Sequence, residues 1–316
     1  MRRFLAVCSM FLCGIAAAQE FPARTVHLIV PYTPGTGADI LARLLGPRLS
    51  ERWNVAVVTE NKAGATGNIG ADFVARSAAD GYTLLFVATS FGTTPAVMRV
   101  PFDPVKDFVP VALVATSGLV VVVNPQVAAR SMRELIELVK REPGKLHYSS
   151  PGNGGPQHLA MELLKLETGM NIVHVPYKSA AGALADLVGG HVQATIAAVQ
   201  TAQPQVLAGK LRAVGVMSAE RSQAFPEVPT LKEQGLPGLE VETWYGAFAP
   251  AGTPEQVVGK LNSELNLLLE DRAMREFLAK QGMAPAGGPP GRLGALVKSE
   301  LARWTRVVNA AGIKAD

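Results

Sequence analysis

The stretch Val30-Pro31-Tyr32-Thr33-Pro34-Gly35-Thr36-Gly37-Ala38-Asp39 gathers glycines, hydroxyls and one acid into ten residues. Groups of these types hold an anion more readily than they break a bond. Val26, Leu28, Ile29 and Val30 before it read as a short buried strand, and Ile40, Leu41, Leu44 and Leu45 after it recur at helical spacing. A strand-to-helix turn leaves the first helical amides unpaired, and those N–H groups together with the positive end of the helix dipole attract negative charge. Asp39 would repel an anion directly, so its local work is to accept backbone N–H bonds in the first helical turn.

Four more small-residue loops follow strand patterns: residues 61–70, 88–94, 148–156 and 176–179. A single such loop is read most simply as a tight turn. Five of them, on strands whose carboxyl ends share an edge, point to a cleft. Amides and hydroxyls suit a carboxylate that must be held and then released, where an arginine fork would hold it harder. Lys178 is the candidate cation at the cleft, with a solvated loop lysine as the plainer reading.

Other chemistry is missing. Gly64 to Gly70 is spaced G-x-x-G-x-x-G, which is not the dinucleotide fingerprint, and no phosphate-loop lysine or G-x-S-x-G elbow is present. Ser149 and Ser150 have His147 and His158 near in sequence and are read as loop hydroxyls. A secreted serine hydrolase built on them is the alternative from another class. His158 and Glu162 lie four apart and read as a helix-surface pair, with no third metal ligand; His27 and His174 read as strand packing residues. Tyr32, Phe91, Tyr177 and Trp244 are candidates either for apolar pocket walls or for core. No cofactor, metal or catalytic group is required.

The elements that position these loops alternate between strand and helix patterns, which predicts α/β lobes with largely parallel sheets. Strands are expected at Val55–Val58, Tyr82–Val87, Ile172–Val175, Val192–Ala198 and Arg212–Met217, and helices at Ala71–Ala79 and Gln157–Glu167. Ser131 with Glu134 forms a capping box, and Thr253-Pro254-Glu255-Gln256 opens a helix with a capping residue and proline at its first position. Val109 to Val123, broken at Thr116-Ser117-Gly118, is expected to cross to a second lobe, and Val241 to Ala249 to return. That gives one lobe of residues 21–122 plus 241–316 and another of 123–240, joined by two crossovers that make a hinge. Leu293, Leu296, Val297, Leu301, Trp304, Val307 and Val308 mark an amphipathic terminal helix.

Arg2-Arg3, the apolar run from Phe4 to Ile15 and Ala16-Ala17-Ala18 form an export signal, residues 1–18. The two cysteines, Cys8 and Cys13, fall inside it, so a mature chain without it has no thiol chemistry and no disulfide. The segment takes two of the 30 Lys and Arg and none of the 26 Asp and Glu, leaving a net charge of +2. So weak a balance argues against nucleic acid as a partner.

At this point the chain resembles a known family. The segments 30–39, Asn-Lys-Ala-Gly-Ala-Thr-Gly-Asn-Ile-Gly-Ala at 61–71, Asp-Gly-Tyr-Thr-Leu-Leu at 80–85 and Ser-Pro-Gly-Asn-Gly at 150–154 are similar to those of the Bug/TctC extracytoplasmic solute receptors. So are Val-His-Val-Pro-Tyr-Lys at 173–178, Ala-Gly-Lys-Leu-Arg-Ala at 208–213 and Phe-Ala-Pro-Ala-Gly-Thr-Pro at 248–254. These are the binding proteins of tripartite tricarboxylate transporters. The resemblance implies a two-lobed, type II periplasmic-binding-protein-like α/β fold that captures a small carboxylate in the periplasm and hands it to the membrane components of such a transporter; nothing in the sequence requires more than a monomer. A ligand-dependent co-sensor role is a further alternative. Carried over, the ligand residues are Tyr32, Gly35, Thr36, Gly37, Ala38 and Asp39, then Ala65, Thr66 and Asn68, then Thr89 and Ser90, with Gly152, Asn153, Lys178 and Thr201 on the facing lobe. Two positions depart from the family pattern. Thr36 replaces a second glycine, and Ala197-Ala198-Val199-Gln200-Thr201-Ala202 stands where an acidic residue is usual, which implies an organic acid rather than an amino acid.

Overall fold

The structure, a computed structural model, describes residues 21–177 and 179–313. The export segment and Lys178 therefore lie outside the described residues. β1 (Val26–Val30) leads into α1 (Gly37–Trp53), β2 (Val57–Asn61), a 3-10 turn (Ala65–Gly67) and α2 (Asn68–Ala75). β3 (Thr83–Ala88) runs almost directly into α3 (Ser90–Val97), and β4 (Phe108–Val123) follows. Then come α4 (Met132–Arg141), β5 (His147–Ser150), α5 (Pro156–Thr168), β6 (Val173–Pro176), α6 (Ala180–Val188), β7 (Ala194–Ala198), α7 (Val199–Leu207) and β8 (Arg212–Val216). The chain closes with β9 (Glu242–Pro250), α8 (Glu255–Glu270), α9 (Arg272–Lys280), β10 (Ala284–Pro285) and α10 (Pro290–Ala311).

The α/β alternation is as expected, with instructive differences. The expected third loop, 88–94, is mostly helix. Gly92, Thr93, Thr94 and Pro95 hide α3 from a propensity reading, but its Phe91 is locked among Phe102, Phe108 and Phe248, so packing overrides propensity. Asp271 begins α9 by accepting the Met274 amide at 2.9 Å, a start the apolar spacing did not reveal. Ser131 caps α4 as expected, accepting the Glu134 amide at 3.2 Å, while the Glu134 carboxylate reaches back to the Arg130 amide at 2.7 Å. Thr253 does not cap α8. Pro254 holds the capping position, and the Thr253 hydroxyl donates to the Pro250 carbonyl at 2.8 Å.

β4 is the spine. It is not broken at Thr116-Ser117-Gly118 but runs for 16 residues through both halves of the sheet. Residues 108–118 pair with β9, which continues through β3 to β1 and β2; residues 119–123 pair with β7 and β8, and β7 continues to β5 and β6. We call these the first and second lobes. β1, β2 and β3 are parallel, as are β5, β6 and β7, but β7 and β9 lie antiparallel to β4. The register has a consequence for the site. Ala88, the end of β3, pairs with Tyr245, which pairs with Ala115, whereas Ala198, the end of β7, pairs with Leu119. Strands of the two lobes thus end toward each other, about four residues apart along β4, or roughly 13 Å at the usual strand rise. Both ends lead straight into helices, α3 and α7.

Side chains alternate across β4 into separate cores, Leu119, Val121 and Val123 to one and Val120 and Val122 to another. α10 ties the lobes together. Leu293 and Val297 pack in a first-lobe core, and Trp304, Val307 and Val308 in a second-lobe core. Trp304 is fully buried and its indole donates to Glu300 at 2.6 Å. Trp304→Ala should cost about 3–5 kcal/mol, through the cavity it leaves. Urea unfolding measures this, and a loss below about 1 kcal/mol would place Trp304 outside the core.

Candidate functional site

At the end of β1 the chain turns at Gly35, whose φ of +84° only glycine adopts cheaply. The Gly35 amide donates to Asp39 at 2.9 Å, and Asp39 also takes Arg43 at 3.0 Å and Asn61 at 2.8 Å. Burial pushes the Asp39 carboxyl up, but those donors more than offset it and hold it below its ordinary value. Asp39 is therefore ionised and committed to bracing the loop, and it is buried. Thr36 stands at the cap position of α1, yet its hydroxyl turns back to the Thr33 carbonyl at 3.1 Å. The amides of Gly37, Ala38 and Asp39 are left without a partner among the described residues. Tyr245 closes over this turn so tightly that any side chain at position 37 would overlap its ring. Burial, and then the neighbouring Tyr32, push the Tyr245 phenol up, so it is a neutral donor, and no partner engages its hydroxyl among the described residues.

The second loop adds strain. Ala65 and Thr66 both lie in the left-handed region, at φ +46° and +58°. Two adjacent non-glycine residues there persist only where the surroundings demand it, and such strain gathers at ligand clamps. Their amides also lack partners among the described residues. Asn68 opens α2, buried, with its side-chain amide against the Met98 sulfur at 3.8 Å. Tyr32 joins the loops: its hydroxyl accepts the Ala88 amide at 3.2 Å and shares a hydrogen bond with Ser90 at 2.8 Å. Thr89 is occupied, accepting the Trp244 amide at 2.8 Å. Trp244 and Phe91 are core residues; Tyr245, one step along β9 and on its other face, is the aromatic at the turn.

Across β4, the loop 151–155 carries Gly152 and Asn153 and reaches the first lobe, since Gly154 abuts Val97 at the end of α3. Next to it is a small recess of about 40 Å³ bordered by Pro151, Gln157, Ala180, Ala183, Ala198 and Thr201. Of the second-lobe residues expected at the site, Thr201 lines this recess and Gly152 and Asn153 lie beside it. Tyr177 spends its hydroxyl on Asp186 at 2.5 Å, which pushes its phenol up to about 12. Gln157, Ala183 and Tyr245 carry no sequence signal, because only the sheet register brings them to this edge.

Residues 41–313 match the model of the tripartite tricarboxylate transporter family receptor, TctC. The chain belongs to this family. It is 38% identical to the protein BugT of Bordetella pertussis, over 99% of each chain. An R. palustris protein solved with adipate is 36% identical, with a TM-score of 0.78 over 93% of this chain and 99% of that one. MatC of Rhodopseudomonas palustris, solved with malate, is 32% identical, with a TM-score of 0.75 over 91% of this chain and all of that one. The two-lobed periplasmic-binding-protein fold expected from the resemblance is the fold of this receptor.

One cluster in this TctC receptor differs from its reading in sequence. His158 and Glu162 are not a surface pair but buried, with imidazole and carboxylate 3.9 Å apart. Glu162 instead accepts Tyr148 and Lys165, each at 2.7 Å. His174 stacks on His158 with centroids 3.9 Å apart and shares a 2.6 Å hydrogen bond with Ser150. His158 accepts the Gly154 amide at 2.9 Å through Nδ1, so the cluster pins the loop beside the recess. Burial, and then His158, depress His174 to about 4 from its ordinary 6.5. Between those values the unfolded chain binds the extra proton, so stability is full above pH 6.5, falls as pH drops and levels off below about 4. Urea midpoints between pH 7 and 4.5 should fall less steeply in His174→Gln; equal slopes would refute the assignment.

Proposed function

We propose that this TctC receptor captures a small organic carboxylate between its lobes in the periplasm and delivers it to the membrane components of a tripartite transporter. The observation that carries this is that the amides of Gly37, Ala38, Asp39, Ala65 and Thr66, and the Tyr245 hydroxyl over Gly37, have no partner among the described residues. Amides fixed by the fold bind an anion without reorganising. The adipate and malate bound by two relatives support the choice of a carboxylate. Residues 1–18 direct export and are removed, and the mature monomer closes its lobes, residues 21–122 with 241–316 and residues 123–240, about the β4 crossing. Binding shifts the balance toward the closed form, which the membrane partner recognises.

A hydrolase reading draws on the Ser150–His174 contact. Ser150 is fully buried, however, and its hydroxyl also donates to the Gly152 carbonyl at 3.0 Å, while a base held near 4 takes a proton poorly at neutral pH. Refolded, ligand-free mature protein should leave p-nitrophenyl acetate unhydrolysed, and turnover lost in Ser150→Ala would establish an enzyme. The same protein should be stabilised by about 2.7 kcal/mol by a carboxylate at 100 times its dissociation constant. Tyr245→Phe removes one charge-assisted hydrogen bond and should weaken that binding about tenfold or more, read by calorimetry. Unchanged affinity would remove Tyr245 from the site.

A further inference from the structure

We infer that Asn61 is a positioning residue for carboxylate capture, its side-chain amide locking the Gly35 turn to the end of β2, from which the Ala65-Thr66 turn departs. The inference rests on the carboxylate reading above and names what holds its donors in place. Asn61 is the last residue of β2 and pairs with Val30, the last residue of β1, so it stands at the root of both turns. Its Nδ2 donates to the Tyr32 carbonyl at 3.0 Å and to the Asp39 carboxylate at 2.8 Å, and its Oδ1 accepts Arg43 at 2.7 Å. Those partners fix which end of the amide is nitrogen, because two oxygens face one end and a guanidinium the other. Both amide protons are spent inside the protein, so Asn61 acts through Tyr32 and Asp39 and not by touching the ligand.

Each partner carries part of the cradle. Asp39 is buried and receives the Gly35 amide at 2.9 Å, so the carboxylate that Asn61 steadies is the one that sets the first turn. Without Asn61 that buried, ionised group loses a donor, and its charge is less compensated beside an arriving anion. Tyr32 supports the second turn. A Cβ at Gly67 would lie 3.0 Å from Cε1 of the Tyr32 ring, and one at Gly70 2.7 Å from the Pro31 side chain. Holding the Tyr32 backbone therefore holds the surface on which the Ala65-Thr66 turn rests. Glu60, next along β2, is paired with His27 and Lys62 instead, so Asp39 and Arg43 are the charged groups that face Asn61 among the described residues. Donors fixed before capture lose little freedom on binding, so loosening them should show in affinity.

The test uses refolded, ligand-free mature protein and titration calorimetry with whichever of adipate, malate, hexanoate and benzoate the wild type binds most tightly. Asn61→Ala should weaken that binding about tenfold or more. Asn61→Asp keeps the shape but sets two carboxyls against each other. The Asp39 charge raises a carboxyl at position 61 above its ordinary value of about 4, and once protonated it donates to Asp39 as the amide does. The Kd of Asn61→Asp relative to wild type should therefore be raised at about pH 8 and fall about threefold or more at about pH 5.5, while the Asn61→Ala ratio stays constant. A residue serving stability alone would lower the urea midpoint without this pH-reversible affinity. Wild-type affinity in Asn61→Ala, or an Asn61→Asp ratio that does not change with pH, overturns the inference and leaves the carboxylate receptor intact. If Asn61→Ala does not fold, the Asn61→Asp comparison decides alone. Silence of the wild type toward all four probes overturns the receptor reading and this inference with it.

Discussion

Everything at the cleft depends on one uninterrupted strand. β4 hydrogen-bonds to β9 along its first part and to β7 and β8 along its last, so it belongs to both lobes at once. Because β7 runs against it and β3 runs with it, strands from opposite lobes end face to face. Helices follow those ends within a residue or two. Ser117, near the middle of the strand, donates to the Gly282 carbonyl at 2.8 Å, with the Gln200 side chain of α7 3.0 Å from the same hydroxyl, so the crossing touches both sides.

The two sides of the cleft have different chemistry. The first-lobe side offers amides held in place by an ionised, buried Asp39, by the strained Ala65-Thr66 pair and by Tyr32. Their orientation is fixed before any ligand arrives. Among the described residues, the recess on the second-lobe side is lined by alanines and neutral polar groups. Behind it, a buried stack of Tyr148, His174 and His158 pins the loop at Gly154. Two imidazoles kept neutral by burial accept or share hydrogen bonds that imidazolium ions would disrupt, so the loop is built for neutral pH.

Much of the geometry of the first-lobe candidate site was legible in sequence because local backbone builds it. Gly35, Thr36 and Gly37 after an apolar strand already imply a turn and free amides, and Asp39 in the first helical turn already implies a brace. What could not be read was which side chains come from afar. Tyr245 is more than two hundred residues from Gly37, and Trp244 beside it looks at least as suitable for a wall until strand alternation turns it into the core. Thr89 and Ser90 read alike as loop hydroxyls, but β9 takes one and Tyr32 the other. His158 and Glu162 looked exposed because helical spacing records neighbours along one helix and not what packs over them.

The sequence by itself determined the α/β alternation, the loops that present amides, a net charge too weak to point to nucleic acid and the motifs of a TctC receptor. These follow from periodicity, turn chemistry and composition, which act over a few residues. Tertiary structure decided that β4 passes unbroken between the lobes, that α3 is a helix, that α10 joins two cores and that a small recess forms at the carboxyl edge of β5 and β7. Those outcomes depend on strand register and packing between distant segments, and a shift of one residue in register would have placed different side chains there.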